Sequence, residues 1–177
     1  MKQKIFASAL SLALATAGLI GAAPAFAGTV TGSLPVSATV ANSCVISSVN
    51  AIAFGAYDPA NANASAPLKA TGAVNVTCTK GGSVSVALDQ GANPTASSTC
   101  VAPARQMKDS GTDVLAYSIY SDSADTKAWG CDATNEVSFT SASVSTPTAL
   151  STYGSIPAAQ DVPAGSYNDT VTVTVSF

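Results

Sequence analysis

The chain has 177 residues, of which seven are basic, ten acidic and none is histidine. Charged residues are so sparse, at 10% of the chain, that the basic footprint needed to hold nucleic acid or anionic lipid is missing. Without histidine, Ser-His-Asp and Cys-His catalytic arrangements are also excluded.

The first 27 residues read as a secretory leader. Lys2 and Lys4 form a positive n-region, an Ala- and Leu-rich run from Ile5 to about Gly21 forms the apolar core, and Ala25-Phe26-Ala27 after Pro24 is a small-x-small cleavage site. Cleavage after Ala27 would leave 150 residues, one ordinary domain, with five basic and ten acidic side chains. No later stretch approaches the ~20 apolar residues of a spanning helix.

Four cysteines remain: Cys44, Cys78, Cys100 and Cys131. An even count in an exported chain points to disulfides. Three connectivities are open. Pairing Cys44 with Cys78 and Cys100 with Cys131 is favoured, because the first two sit at strand ends and the second two flank one hairpin-like region. A metal site lacks support, with neither histidine nor Cys-x-x-Cys present. No cofactor is expected.

Along the chain, residues 28–42 alternate cleanly. Val30, Leu34, Val36, Ala38 and Val40 share one face with Gly32, and the Thr and Ser residues with Pro35 take the other. Pro35 cannot donate a ladder hydrogen bond, so this strand prefers an edge. Strands are predicted from Cys44 through Ile46, at 51–57, at 73–79 and at 83–88. Lys80-Gly81-Gly82 between the last two suggests a hairpin. Further strands are predicted at 105–108, 114–120, 137–139 and 149–156, with loops at 58–67, 90–103 and 122–135. The last segment, 167–177, places Val171, Val173, Val175 and Phe177 on one side and Thr170, Thr172, Thr174 and Ser176 on the other. Nothing follows Phe177, so this strand is expected either to close a sheet or to leave an edge for another chain. Many short strands and no helical period past the leader predict an all-β, immunoglobulin-like antiparallel sandwich.

Catalytic chemistry finds no support. Gly-x-Ser-x-Gly, Ser-x-x-Lys and phosphate-loop patterns are absent. The acid pairs Asp109/Asp113 and Asp122/Asp125 lie in polar loops, where carboxylates usually cap turns and only rarely act as acid and base or bind calcium. Tyr57, Tyr117, Tyr120, Trp129, Tyr153 and Tyr167 could line a sugar-binding surface. Tyr117 on an inward face and Trp129 beside Cys131 instead suit the core. The chain reads as a non-enzyme.

The two ends form the informative pair. An alternating segment can add a strand to an open sheet edge, with one face entering the partner's core. The carrying residues are 28–47 with Cys44 after the arm, Asn75-Val-Thr-Cys-Thr79, Leu115-Ala-Tyr-Ser-Ile-Tyr-Ser-Asp122, Tyr153-Gly-Ser-Ile-Pro157 and the ending from Ala164 to Phe177. On these the chain resembles the spore coat protein U domain family, which includes the major subunits of archaic (Csu-type) chaperone–usher pili. The Gly165-x-Tyr-x-Asp-Thr-Val-x-Val-x-Val-x-Phe177 pattern is the most specific part.

The resemblance implies an incomplete immunoglobulin-like sandwich lacking its last strand. It divides the chain into a leader at 1–27, a donor-strand arm at 28–42 and a pilin domain at 43–177. The donor positions would be Val30, Leu34, Val36, Ala38 and Val40. The edge offered to a chaperone or a donor would carry Tyr167, Val171, Val173, Val175 and Phe177. Implied partners are copies of the same chain head to tail, a periplasmic chaperone, an outer-membrane usher and a tip adhesin. The product would be an adhesive surface fibre serving attachment and biofilm formation. A Cys44–Cys78 bridge is implied as well, whereas Cys100–Cys131 rests on cysteine parity. The alternatives are a secreted spore-coat or minor pilus protein and a carbohydrate-binding adhesin module. A tip adhesin would be expected to carry an added receptor-binding domain where this chain has an arm.

Overall fold

A computed structural model of the chain describes residues 27–177. The predicted leader thus lies outside the described residues, apart from Ala27. Two units separate, one ending at Ala38 and the other spanning Thr39–Phe177. In the first, residues 27–38 form no strand and their side chains are exposed.

The second unit contains eight strands: β1 (Cys44–Asn50), β2 (Leu68–Cys78), β3 (Ser83–Leu88), β4 (Arg105–Lys108), β5 (Val114–Tyr120), β6 (Val137–Thr140), β7 (Thr148–Ile156) and β8 (Val173–Ser176). They make two antiparallel sheets, ordered β1-β2-β7-β5-β4 and β6-β3-β8. No helix occurs among the described residues. This is the immunoglobulin-like β-sandwich class.

Alternation decides which side chains meet between the sheets. Val74, Val76 and Cys78 of β2 and Leu115, Tyr117 and Ile119 of β5 are buried on one side. Val84, Val86 and Leu88 of β3 are buried on the other. Trp129, from the loop before β6, fills the space between them and is fully buried. Its Nε1 donates to the Val86 carbonyl at 2.9 Å, and its backbone N–H donates to Ile119. A buried indole needs such a partner, and here it ties β3 to β5.

Three expectations change. Segments 73–79 and 83–88 form no hairpin, because β2 is already flanked by β1 and β7. The turn after Cys78 carries the chain across to the other sheet, so the apolar faces of β2 and β3 oppose each other through the core. Segment 51–57 forms no strand. It lies against β7, where a Cβ on Gly154 would meet Ile52 at 2.6 Å and Phe54 at 2.7 Å. The missing side chain is what admits the close approach. Finally, only Val173–Ser176 of the last segment forms a regular ladder, while Asn168 makes an isolated bridge to Lys108.

The structure joins Cys44 to Cys78, linking β1 to β2, and Cys100 to Cys131, linking the 93–104 loop to the Trp129 loop. The second bridge holds the loop whose tryptophan closes the core. Trp129→Ala should therefore cost about 3–5 kcal/mol of unfolding free energy, from lost burial plus a cavity. Urea unfolding of the oxidised protein would check this, and a shift under about 1 kcal/mol would contradict the core assignment.

Candidate functional site

The sandwich is open along one side. Ile46 of β1 pairs with buried Val76, and Val49 pairs with buried Val74, so both face the core side of their sheet. In a regular strand, residues three apart point to opposite faces. The register shift between Ile46 and Ser48 brings Ile46 and Val49 to the same face. Both nevertheless remain exposed.

Across the opening, Val173 pairs with buried Leu88 and Val175 with fully buried Val86. Val171, Val173 and Val175 are only half-buried, and Phe177 is 58% exposed. Each sheet thus presents apolar side chains to a core that, among the described residues, no strand covers between β1 and β8.

An open cleft of about 430 Å³ lies there, lined on one flank by Val49, Ile52 and Phe54 and on the other by Tyr167, Val171 and Val173. Leu88, Tyr117 and Ile119 form part of its floor. It shares Ile52, Phe54, Met107, Tyr167 and Asn168 with a second cleft of about 780 Å³, which runs between 52–59 and 162–168. Together they make one long groove without a lysine or arginine in its lining.

The hydrogen-bond phase of β8 makes this groove a candidate strand acceptor. Asp89 N–H donates to the Thr172 carbonyl at 3.0 Å. The antiparallel ladder alternates from that pair, so Thr172, Thr174 and Ser176 direct their backbone groups toward β3. Val171, Val173 and Val175 direct theirs to the free edge. The same three residues supply the apolar side chains of the groove wall. A strand laid beside them would meet both a ladder and an apolar bed.

The start of this edge is held by a polar cluster. Tyr117 Oη donates to Asp169 Oδ2 at 2.6 Å, and Ala92 N–H donates to Asp169 Oδ1 at 2.9 Å. Burial pushes the Tyr117 phenol well above its ordinary range, reinforced by its bond to Asp169, so it stays a donor. Arg105 is buried; its Nε donates to the Asp89 carbonyl, and one Nη donates to the carbonyls of Leu88, Asp89 and Trp129. Desolvation lowers the affinity of this guanidinium for its proton, and the negative charges of Asp89 and Asp169 oppose that effect. For Asp89, burial works upward. The hydrogen bonds from Thr172 and Gly91, with the charge of Arg105, outweigh it and hold the carboxyl below its ordinary value of 3.8.

The other sequence candidates are exposed, buried in the core or engaged in their own turns. Val30, Leu34, Val36 and Val40 are between 81% and 100% exposed, and Ala38 is exposed as well. Trp129 and Tyr117 are buried, which removes them from any sugar-facing surface. Asp109 accepts from the N–H groups of Gly111 and Asp113, and Asp122 accepts from those of Thr126 and Lys127. These carboxylates cap their own turns. Sequence reasoning missed the groove roles of Val49, Ile52, Phe54, Met107 and Thr152. The odd spacing of Ile46 and Val49 was the one available signal for a bulged edge.

A family model, described as the Spore Coat Protein U domain, matches residues 30–174. The chain belongs to the Spore Coat Protein U domain family. The chain is also similar to the curated "Protein U" of Myxococcus xanthus, 36% identical over 176 residues, covering 96% of this chain and 97% of the relative. A solved chain is also similar, with 27% identity and a TM-score of 0.53. It comes from the CsuC–CsuE chaperone–tip adhesion subunit pre-assembly complex of the archaic chaperone-usher Csu pili of Acinetobacter baumannii. The likeness covers 78% of this chain but only 40% of the solved one.

Two outcomes follow for this Spore Coat Protein U domain. Thr152 is 4% exposed and lines the groove, and its hydroxyl has no hydrogen-bond partner among the described residues. Thr152→Val removes that unpaired group at nearly constant volume and should raise stability by about 1 kcal/mol, read from the urea midpoint. Asp89 has a depressed folded pKa. Its stabilising contribution is therefore complete above the unfolded value of 3.8 and is lost as pH falls through the lower folded value. Asp89→Asn keeps an acceptor for Thr172 N–H and should flatten this acid limb in unfolding measured from pH 5 to about pH 2; an unchanged limb would assign the acid sensitivity to other groups.

Proposed function

We propose that the protein is a non-enzymatic structural subunit of a chaperone–usher surface fibre, an incomplete sandwich whose groove takes a strand from another polypeptide. The observation that carries this is the uncovered core between β1 and β8, flanked by the free, apolar edge Val171–Val173–Val175. A periplasmic chaperone first fills the groove of the exported subunit. At the outer-membrane usher, the arm of the next copy replaces it.

Residues 28–42 suit the role of donor. Their alternation presents Val30, Leu34, Val36, Ala38 and Val40 on one face. Fifteen extended residues reach roughly 50 Å and the edge 167–177 roughly 36 Å, so the arm covers the edge with chain to spare. Burying four large aliphatic side chains contributes on the order of 6–12 kcal/mol before ordering costs. A contact between unlike surfaces does not close on itself, so its repetition makes a fibre. The fibre's uses are attachment and biofilm formation, with a tip adhesin at its end.

The likeness to a chain of a chaperone–subunit pre-assembly complex supports the pilus reading. The family description and the near full-length match to Protein U favour a second one, a secreted coat protein that uses the same strand exchange.

Deleting 28–42 and co-expressing the remainder with its chaperone should preserve the chaperone complex and abolish polymers in electron micrographs. Normal fibres from the deleted chain would refute the donor role. Leu34→Asp or Val36→Asp should shorten fibres and lower their melting temperature, because each would drive a charge into an apolar groove.

A further inference from the structure

The run from Thr170 to Phe177 needs only alternating apolar and polar residues to make a strand, yet an aspartate precedes it at a core-facing position. Position 169 shares its face with Val171, Val173 and Val175. A carboxylate there is costly unless its oxygens are bonded. Asp169 receives three hydrogen bonds: from Tyr117 Oη at 2.6 Å, Ala92 N–H at 2.9 Å and Asn93 Nδ2 at 3.2 Å.

These bonds fall where the last segment changes sheets. Asn168 exchanges two backbone hydrogen bonds with Lys108 of β4, each 2.9 Å long, and so belongs to the five-stranded sheet. Four residues later Thr172 pairs with Asp89, just beyond β3, and belongs to the three-stranded sheet. At that second point the ladder is irregular. The Asp89 carbonyl is occupied by Arg105, and the Asp89 carboxylate instead accepts the Thr172 N–H at 2.9 Å. Gly91 completes the arrangement. Its φ is +79°, and a Cβ there would collide with the Asp169 carboxylate.

From this geometry we infer that Asp169, with Asp89, is the positioning residue of the strand-acceptor edge. The two carboxylates replace backbone ladder partners across the sheet change. They hold Val171, Val173 and Val175 extended, with outward N–H and C=O groups in phase for an incoming strand. An edge ordered beforehand lowers the cost of taking up that strand. This rests on the reading of the groove as an acceptor.

The test uses the full-length exported chain, Asp169→Ala, Asp169→Asn and Tyr117→Phe, and a fluorescent synthetic peptide of sequence 28–42. Two quantities are read: peptide affinity, and amide exchange at Val171–Val175 relative to core Val74 and Val84. Asp169→Ala should weaken peptide binding by about tenfold, as expected for loss of charge-assisted hydrogen bonds. It should also deprotect the edge selectively. Asp169→Asn and Tyr117→Phe retain the bond from Ala92 N–H and should fall between Asp169→Ala and the unaltered chain. They keep the test decisive if the alanine variant does not fold. Unchanged edge exchange, or equal deprotection of edge and core, would overturn the positioning role. If the unaltered chain does not take up the peptide, the acceptor reading fails, while edge exchange still decides whether Asp169 orders the strand.

Discussion

Everything in this sandwich depends on a mismatch between the apolar surface of its two sheets and the strands available to cover it. Val86 and Leu88 are sealed on one side of the core and Val74 and Val76 on the other. Their ladder neighbours Val175, Val173, Val49 and Ile46 are only partly covered or exposed. An ordinary domain conceals such an edge, because unpaired backbone beside apolar side chains invites aggregation. Here the edge from Val171 to Val175 is apolar and carries no charge.

The rest of the fold supports that opening. Trp129, stapled in place by Cys100–Cys131, closes the core on the side away from β1. Arg105 gathers the carbonyls at the end of β3 and beside Trp129, which frees the Asp89 carboxylate to hold Thr172. Gly154 lets Ile52 and Phe54 lie flat on β7, so a segment without a strand partner still forms one wall of the groove. A buried arginine bonded mainly to carbonyls contributes little net stability once desolvation is counted. Its contribution here is geometric, since it fixes where the last segment meets the second sheet.

Much of this was legible from local pattern. Strand β5 lies where its Leu115, Tyr117 and Ile119 alternation predicts, β4 keeps its expected bounds, and β6 and β7 depart from expectation only at one end. Membership of the family was readable in the terminal pattern and is shown by the match over residues 30–174. The chemistry of the groove edge was only half legible. Alternation identified Val171, Val173 and Val175 but assigned Asp169 no role, because its partners Tyr117, Ala92 and Asn93 lie far away in sequence.

By itself the sequence determined the period of two, the position of most strands and the apolar faces of both ends, because these follow from side-chain alternation along single segments. Tertiary structure alone decided that β2 and β3 belong to different sheets, that 51–57 becomes a groove wall and that the last segment changes sheets at Asp169. Those outcomes depend on which edges are already occupied, on the bulge that brings Ile46 and Val49 to one face, and on the space left above Gly154. Edge occupancy and available space are properties of the assembled sheets and cannot be read from any one strand.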